Sequence, residues 1–335
     1  ASDLFWVEVG NLAAGQKYVF QYWVDGTIKI GDPYADEVAD ADNDPFIPPS
    51  VHPDIAPYNQ PYGPASVLQT AQPVYAWAPS ESTWERPEKE NLIVYELLLR
   101  DFLETHSYDD LIDTLSYLNR LGINAIELMP VMEFEGNISW GYNPSYFFAV
   151  DKYYGTKNDF KRFVEAAHAQ GMAVIMDMVL NHAFGQNSLV QMYFDNGRPT
   201  PESPWFNQEA THPFNVGFDF NHESEYTQDF VDSVNTYWIE EYHIDGYRFD
   251  LSKGFTQTVS GSDVGLWSSY DASRIALLKR MANEIWAGEP DAYVILEHFG
   301  EGSEESELAA EGMLLWRNMN FTSWESLSNG NGDFT

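Results

Sequence analysis

The chain has 335 residues, and its 52 acidic side chains outnumber its 17 lysines and arginines, giving a formal net charge of −35 at pH 7. This charge disfavours nucleic acid and anionic lipid as partners, because both are negatively charged, whereas a neutral polysaccharide is indifferent to it. There are no cysteines, which excludes disulfides and thiolate chemistry, and no run of about 18 apolar residues that would predict a membrane span. The 44% hydrophobic content predicts a globular protein with room for one large and one smaller domain.

The first 44 residues have the pattern of β structure. Two runs rich in aromatic and β-branched residues, 17–24 and 27–30, flank Asp25-Gly26, a dipeptide that favours a hairpin turn. One hairpin and a preceding strand are too few to form an independent sheet. We therefore expect the C-terminal part of an immunoglobulin-like β-sandwich whose first strands are absent.

Prolines are concentrated in the segment that follows, with 11 of the 18 lying between Pro33 and Pro87. Such a density excludes helices and central strands, and it predicts a connector laid over the surface. We accordingly divide the chain into residues 1–80, the partial sandwich and connector, and residues 81–335, a second domain.

Strand and helix patterns alternate from Asn91 onward. Strands are predicted at 92–97, 123–130, 173–177, 244–250 and 293–297, with a sixth beginning near Met313. Helices are predicted around 111–121 and at 159–170, 225–242 and 271–287, with Asn158 as the N-cap of the second. This alternation predicts a parallel sheet, for which a closed (β/α)8 barrel fits best and an open doubly wound sheet is the alternative. About six strands are visible, so a closed barrel would need roughly two more units from elsewhere.

Acidic residues end three of these strands: Asp177, Asp250 and Glu297. Side chains alternate along a strand, so Arg248 and Asp250, two residues apart, point to the same side. A guanidinium beside a carboxylate keeps that carboxylate ionised, as a nucleophile requires. Three apolar strands that each deliver an acid at the C-terminal end predict a barrel enzyme built on carboxylates.

The sequences around these acids resemble those of a known enzyme family. From about residue 91 to the end, the chain resembles the α-amylase family of glycoside hydrolases (family 13), and residues 1–80 resemble the β-sandwich of its glycogen-branching and isoamylase-like members. The resemblance is carried, in order along the chain, by residues 95–102, 140–144, 177–182, 218–221, 246–254 and 295–298.

The resemblance implies roles for the strand-end residues. Asp250 would be the nucleophile, Glu297 the general acid/base, and Arg248 the group that holds the nucleophile ionised. Glycoside cleavage with retention needs two carboxyl groups about 5–5.5 Å apart. Neighbouring strands lie about 4.8 Å apart, so acids at the ends of two adjacent strands can meet that requirement. A nearby carboxylate and partial burial would keep Glu297 protonated.

Five further residues are candidates for binding the substrate: Tyr142, His182, Lys253, His298 and Asp177. By resemblance, Tyr142 would stack on the sugar at the cleavage point, and His182 would hydrogen-bond it. Lys253 would lie toward the leaving group, and Asp177 would also organise Arg248.

Two departures from the family pattern concern substrate distortion and metal binding. The family's fourth motif, a His-Asp pair, does not occur after Glu297, and Gly254 stands where relatives often have His. In many relatives the Asn of the first motif and the carbonyl at the Gly254 position bind calcium. Asn181 is therefore the candidate metal ligand, although the chemistry itself requires no cofactor.

The predicted function is retaining cleavage of α-linked glucans such as starch or glycogen, with an oligosaccharide or polysaccharide as the partner. Water as acceptor gives an amylase, and a second glucan gives a 1,4-α-glucan branching enzyme. The alternative from another class is a glucan-binding protein without turnover. A nucleotide-dependent enzyme is disfavoured, because no glycine-rich phosphate loop follows any predicted strand.

Overall fold

Short antiparallel strands occupy the N-terminal part of the computed structural model, which describes residues 6–317 and 319–330. These strands are β1 (Lys17–Phe20), β2 (Tyr22–Val24), β3 (Ile28–Ile30), β4 (Val38–Ala39) and β5 (Ala65–Gln69). The β2–β3 hairpin turns at Asp25 and Gly26, as predicted, and β5 lies between β1 and β4 in a separate sheet. The run predicted as one strand is thus divided at Gln21 between two sheets. These two small sheets do not by themselves make a sandwich among the described residues.

The proline-rich segment from Pro33 to Pro87 has no α-helix among its described residues, as its composition predicts, but the expectation that it holds no central strand is wrong, because β5 lies between β1 and β4. Between β5 and β6 the described residues have neither an α-helix nor a strand. Its only regular structure there consists of two 3₁₀ turns, Pro79–Thr83 and Lys89–Asn91. Because this segment runs along the N-terminal ends of the later strands, it supplies side chains to that end of the sheet.

Twelve further strands follow among the described residues: β6 (Val94–Leu97), β7 (Ala125–Leu128), β8 (Met132–Phe134), β9 (Pro144–Val150), β10 (Ala173–Met178), β11 (His182–Ala183), β12 (Phe194–Asp195), β13 (Arg198–Pro199), β14 (Phe218–Asp219), β15 (Gly246–Phe249), β16 (Tyr293–Leu296) and β17 (Leu314–Leu315). Six of them form one curled parallel sheet in the order β6-β7-β10-β15-β16-β17. The others form two-stranded excursions beyond the C-terminal ends of β7 and β10.

The order of the parallel strands decides between the two predicted architectures. Each strand pairs with the next parallel strand along the chain, and the order never reverses. A doubly wound sheet requires a reversal at its switch point, so that alternative is wrong for the described strands. A curled sheet that always adds strands on the same side is the arrangement from which a (β/α)8 barrel is built.

Helices connect the parallel strands: α1 (Leu99–Phe102), α2 (Tyr108–Arg120), α3 (Lys157–Ala169), α4 (Ser188–Met192), α5 (Glu225–Tyr242), α6 (Val264–Ser268), α7 (Ala272–Gly288), α8 (Gly302–Glu311) and α9 (Asn320–Asn329). The predicted N-cap of α3 is wrong. Thr156 caps that helix in a reciprocal capping box with Asp159, and Asn158 lies inside it. No helix within the described residues is long and apolar enough to cross a membrane.

The strand β10 lies at the centre of the core, and all six of its residues are buried. Covered on both faces, a parallel strand becomes a continuous apolar run, as residues 173–176 are. The only charged residue in this strand, Asp177, is near its C-terminal end. The apolar strands therefore fix the position of a few charged side chains at that end.

Candidate active site

The carboxyl ends of β10, β15 and β16 bring the three predicted acids together. Asp177 pairs in register with Arg248 across β10 and β15, and the ladder continues from Phe249 to the amide of Glu297. Asp250 follows β15 directly, with its amide bonded to the carbonyl of Met178. Parallel strands in register end at one edge, so these side chains meet there.

The guanidinium of Arg248 joins the three acids. Its Nη1 donates to Asp177 Oδ1 at 2.8 Å and to Asp250 Oδ1 at 3.1 Å, and its Nη2 lies 3.2 Å from Glu297 Oε2. The Arg248 side chain is almost fully buried, whereas the side chains of Asp250 and Glu297 remain 17% and 22% exposed. The site therefore has a buried cation beneath two carboxyl groups that a ligand can reach.

Glu297 is held in a position that favours its protonated form. Burial raises the pKa of Glu297, and the neighbouring Asp250 raises it further, against the opposing effects of Arg248 and of the Leu251 amide. That amide donates to Glu297 Oε2 at 3.0 Å. Asp250 instead accepts a hydrogen bond from Asn181 Nδ2 at 3.1 Å in addition to its ion pair with Arg248. The two carboxyl groups thus differ in environment, as an acid and a nucleophile must.

Asp177 lies beneath the site and does not face a ligand. It is fully buried, with one oxygen on Arg248 and the other accepting from the Tyr142 hydroxyl at 2.6 Å. We therefore correct its predicted substrate contact and retain the predicted organisation of Arg248. Tyr142 is partly exposed and follows Gly141, whose φ of +91° and close approach to Pro130 admit no side chain.

The imidazole of His182 has an acceptor oxygen beside each of its nitrogens, and a neutral ring can donate to only one of them. Nε2 lies 2.8 Å from the carbonyl of Tyr142, and Nδ1 contacts Oδ1 of Asn181. Burial lowers the pKa of His182 to about 4, so the ring is neutral near pH 7. A sugar hydroxyl would have to replace one of these partners for the predicted contact to form.

Lys253 and His298 do not face the cleft as substrate ligands would. Lys253 Nζ donates to Ser268 Oγ and to the carbonyl of Phe299, and it lies 4.0 Å from the centre of the Trp267 ring. His298 is buried, with both ring nitrogens bonded within the protein. We therefore correct both predictions: these side chains fix loops around Glu297.

Two buried residues near His298 have roles that the sequence analysis did not identify. Arg274 of α7 and Glu304 of α8 are both buried and form a two-pronged ion pair. The acidic pattern of α8 is typical of a solvent-facing helix, but Glu304 and Glu305 are both buried. The one available signal was the basic residue Arg274 in an otherwise apolar stripe.

Two aromatic side chains at the rim were also missed. Phe299 and Trp316 pack edge to face with their ring centres 5.8 Å apart, and the Trp316 ring centre lies 5.7 Å from the Arg248 guanidinium carbon. Both rings are partly exposed. Aromatic faces of this kind can stack on the C–H faces of sugars.

The residues around Asn181 do not fit calcium. Its amide nitrogen donates to Asp250, and its oxygen contacts His182. His212 occupies the adjoining space: its Nε2 lies 3.4 Å from Asp219 Oδ1 and would be 2.9 Å from a Cβ placed on Gly254. Calcium prefers six to eight oxygen ligands, so we correct the prediction of a metal at Asn181.

One other group of acids among the described residues is close enough to hold a cation. Oxygens of Glu96, Glu127 and Asp177 lie within 4.8 Å of one another. The Arg248 guanidinium already adjoins them, with its Nε 3.9 Å from Glu127 Oε1. Burial raises the pKa of Glu127 to about 7. The Arg248 guanidinium and the raised pKa of Glu127 therefore balance the charge of these three acids without a metal ion.

Comparisons with known proteins show which family this chain is similar to. The family model described as "Alpha amylase, catalytic domain" matches residues 105–217. A malto-oligosyltrehalose trehalohydrolase from Saccharolobus solfataricus is 33% identical over 200 residues, covering 59% of this chain and 34% of that protein. A 1,4-alpha-glucan branching enzyme from Streptomyces avermitilis is 32% identical over 249 residues, covering 70% and 41%. The chain thus spans well under half the length of these relatives.

Solved structures share the fold. A candidate alpha amylase from Salmonella typhimurium superposes with a TM-score of 0.62 at 25% identity, covering 87% of this chain and 42% of that one. A pullulanase from Anoxybacillus, crystallised with maltotetraose, superposes with a TM-score of 0.57 at 22% identity, covering 84% and 40%.

Proposed function

This chain belongs to the α-amylase family of glycoside hydrolases, and we propose that it cleaves α-linked glucans by a retaining double displacement. The observation that carries the proposal is the arrangement at Arg248, which bonds both Asp250 and Glu297 while each keeps a solvent-facing side. Two carboxyl groups from neighbouring strand ends are the arrangement that this reaction needs.

The proposed reaction begins with attack by an Asp250 oxygen on the anomeric carbon. Glu297 gives its proton to the departing glycosidic oxygen, so that a glycosyl ester forms on Asp250 as the old bond breaks. Glu297, now a carboxylate, then takes a proton from the acceptor hydroxyl, which displaces Asp250 and restores the first configuration. Arg248, buried between the two, stabilises the carboxylate that each half-reaction leaves.

The proposed substrate is an α-linked glucose chain. Tyr142, Phe299 and Trp316 offer partly exposed rings around Arg248 on which glucose units could stack. An uncharged polymer is also compatible with a protein whose net charge is −35. The branching-enzyme relative acts, by its name, on a 1,4-alpha-glucan.

We propose hydrolysis as the principal outcome and transfer to a second glucan as the runner-up. The exposed side of Glu297 leaves room for water, and one relative is by name a hydrolase. The branching-enzyme relatives favour transfer, since that reaction uses the same two carboxyl groups. The two outcomes differ only in the acceptor.

We also propose that the curled sheet is part of a (β/α)8 barrel to which residues 81–335 belong. Residues 1–80 would contribute to a β-sandwich beside it. The sequential strand order supports the first proposal, and the β1–β5–β4 sheet with the β2–β3 hairpin supports the second.

Product analysis tests the function. Incubation with amylose, glycogen and pullulan should release short maltooligosaccharides, and proton NMR of the first products should detect the α-anomer before mutarotation. New α-1,6 branches without reducing ends would instead support transfer. Starch binding with no product, in a chain whose fold is verified, would reject catalysis.

The pH dependence of kcat/KM gives a second test. Because Glu297 must carry a proton, activity should fall about tenfold per unit as pH rises above its raised pKa. For Glu297→Gln acting on α-maltosyl fluoride, whose leaving group needs no proton, the alkaline fall should disappear, whereas for the exposed control Glu301→Gln acting on amylose it should remain.

A further inference from the structure

We propose that His298 and Glu304 are positioning residues that hold the general acid Glu297 in its reactive orientation; this inference rests on the proposed function. Neither residue reaches the cleft. Each is buried behind the strand end that carries Glu297. They act through a chain of bonds, here called the His298 network, that comprises Ser252, His298, Glu304 and Arg274.

Glu297 and His298 are adjacent in the chain. Successive side chains of an extended segment point to opposite sides. Glu297 turns its carboxyl group toward Arg248, and His298 turns its ring toward α8. Whatever fixes the His298 ring therefore fixes the backbone from which Glu297 projects.

Ser252 links His298 to the backbone of Glu297. His298 Nδ1 lies 3.0 Å from Ser252 Oγ, which in turn lies 2.9 Å from the Glu297 carbonyl oxygen. The Ser252 amide donates to that same carbonyl at 3.1 Å. The Ser252 amide is therefore the bond that holds the peptide of the general acid, and the Ser252 hydroxyl, with its one proton, lies between that carbonyl and His298.

The other nitrogen of the His298 ring contacts Glu304. His298 Nε2 lies 2.8 Å from Glu304 Oε1. Burial alone would raise the pKa of Glu304, but hydrogen bonds from His298 and Arg274 lower it to about 2. Glu304 is therefore a carboxylate at neutral pH, and Nε2 must be the nitrogen that donates to it. Burial lowers the pKa of His298, so the neutral ring accepts at Nδ1.

Glu304 is itself held rigidly in place. Arg274 donates from Nε to Glu304 Oε1 at 2.6 Å and from Nη2 to Oε2 at 2.8 Å, and it also bonds the carbonyls of Trp267 and Ser269. The amide of Asp271 completes the coordination of Glu304. Both oxygens of Glu304 are thus held by groups from α7 and its N-cap, so the carboxylate cannot follow a displaced ring.

The His298 network is connected to the nucleophile Asp250 through the turn that follows β15. Leu251 lies between Asp250 and Ser252 and has φ +43°, a left-handed conformation that a branched residue rarely adopts. Its amide donates to Glu297 Oε2. Such a conformation persists only where the surroundings determine it, and Ser252, held by His298, provides that constraint. The network therefore sets where Glu297 lies relative to Asp250.

The leaving group of the substrate separates positioning of an acid from general stability. A maltooligosaccharide leaves as an alkoxide unless Glu297 protonates it, whereas fluoride departs from α-maltosyl fluoride without a proton. We expect His298→Ala and Ser252→Ala to lower kcat on maltohexaose by about 10- to 100-fold. The same variants should lower the rate of the first fluoride release from α-maltosyl fluoride, measured as the pre-steady-state burst, by less than about threefold, because this departure draws no proton from the acid.

Three control variants calibrate the experiment. Glu297→Gln should lose maltohexaose cleavage and keep the first-turnover release of fluoride, and Asp250→Asn should lose both. His222→Ala removes a buried histidine that contacts the Leu180 carbonyl and the Phe255 ring but no member of the His298 network. It should affect the two substrates equally. Thermal unfolding of every variant verifies the fold. If His298→Ala does not fold, the result for Ser252→Ala alone tests the positioning role.

The outcomes distinguish the inference from the proposed function. If the Glu297→Gln and Asp250→Asn controls fail to behave as described, the proposed function is wrong. If they do behave so, but His298→Ala and Ser252→Ala lower both substrates equally or neither, the positioning role is overturned and the proposed function stands. Recovery of maltohexaose turnover in Glu304→Asp relative to Glu304→Ala would further support the anchor.

Discussion

Asp245 and Asp250 lie five positions apart at opposite ends of β15, and their surroundings differ in kind. Asp245 is fully buried and has four partners: the Trp84 indole at 2.7 Å, Arg86 Nε at 3.0 Å, His168 Nε2 at 2.9 Å and the Val174 amide at 2.7 Å. Together they saturate both of its oxygens.

Asp250, by contrast, has two side-chain partners and a solvent-facing side. Arg248 and Asn181 bond it from the interior, and 17% of its side chain stays exposed. A buried carboxylate whose oxygens all have hydrogen-bond partners can only stabilise the structure. A carboxylate with a free oxygen face beside an open cleft can also react. This division follows the general one between the two faces of a parallel barrel.

The strongest test of the contrast is Asp250→Asn. We expect activity on amylose to fall by about 10⁴-fold or more, because the amide cannot form the glycosyl ester. Thermal stability should be unchanged or slightly raised, since the substitution removes one of several acids around Arg248. Initial rates of reducing-sugar release and a thermal melt provide the two measurements. Retention of even a tenth of the activity would remove Asp250 from the mechanism.

The matching substitution at the other end is Asp245→Asn. It should cost about 3–5 kcal/mol of unfolding free energy, because Arg86 and His168 lose a buried carboxylate. Activity per folded molecule should change little. Urea unfolding measures the loss, with Asp291→Asn, an exposed residue at the same end of the sheet, as a control expected within about 0.5 kcal/mol of wild type. A stable Asp245→Asn variant with lost activity would invert the comparison.

Glu304 sharpens the comparison, since it is a saturated carboxylate at the catalytic end. Its folded pKa of about 2 lies below the ordinary value of 4.5, so its contribution is present above pH 4.5 and is lost as pH falls toward 2. The lost stability is on the order of 3 kcal/mol. The stability difference between wild type and Glu304→Gln, from urea unfolding at each pH, should shrink across that window. A constant difference would show that ionisation of Glu304 contributes nothing.

The smallest expected effect is that of Trp84→Phe. It removes one donor to the Asp245 carboxylate and should cost about 1.5–3 kcal/mol. Trp286→Phe is the matched control, because that indole donates to the neutral carbonyl of Ala292 and should cost only about 0.5–1.5 kcal/mol through its hydrogen bond. Equal losses in the two variants would mean that the charge of Asp245 is unimportant to its environment.

The sequence predicted the helices and strands of the sheet within a few residues, because apolar periodicity is a local property. It also predicted the meeting of Asp177, Arg248, Asp250 and Glu297, since strand ends in a parallel sheet share one edge. The predicted N-cap of α3 failed because both Thr156 and Asn158 have suitable side chains, and only the backbone conformation selects between them.

Predictions about individual partners failed where the contact comes from another helix or strand. His298 and Lys253 were expected at the ligand because of their neighbours in the motifs, yet each is bonded to groups from helices packed outside the sheet. The acidic pattern of α8 does not show that Glu304 is buried; Arg274, 30 residues earlier, holds it in the interior.

The sequence by itself therefore determined which side chains end the strands and which of them share a side, because alternation and strand polarity are fixed by the local backbone. Only the tertiary structure decided which carboxylates are saturated: Asp245 by Trp84 and His168, Glu304 by Arg274, and Asp250 left partly open. The physical reason is that saturation depends on donors from other elements, whose arrival is set by how the connector and helices pack against the sheet.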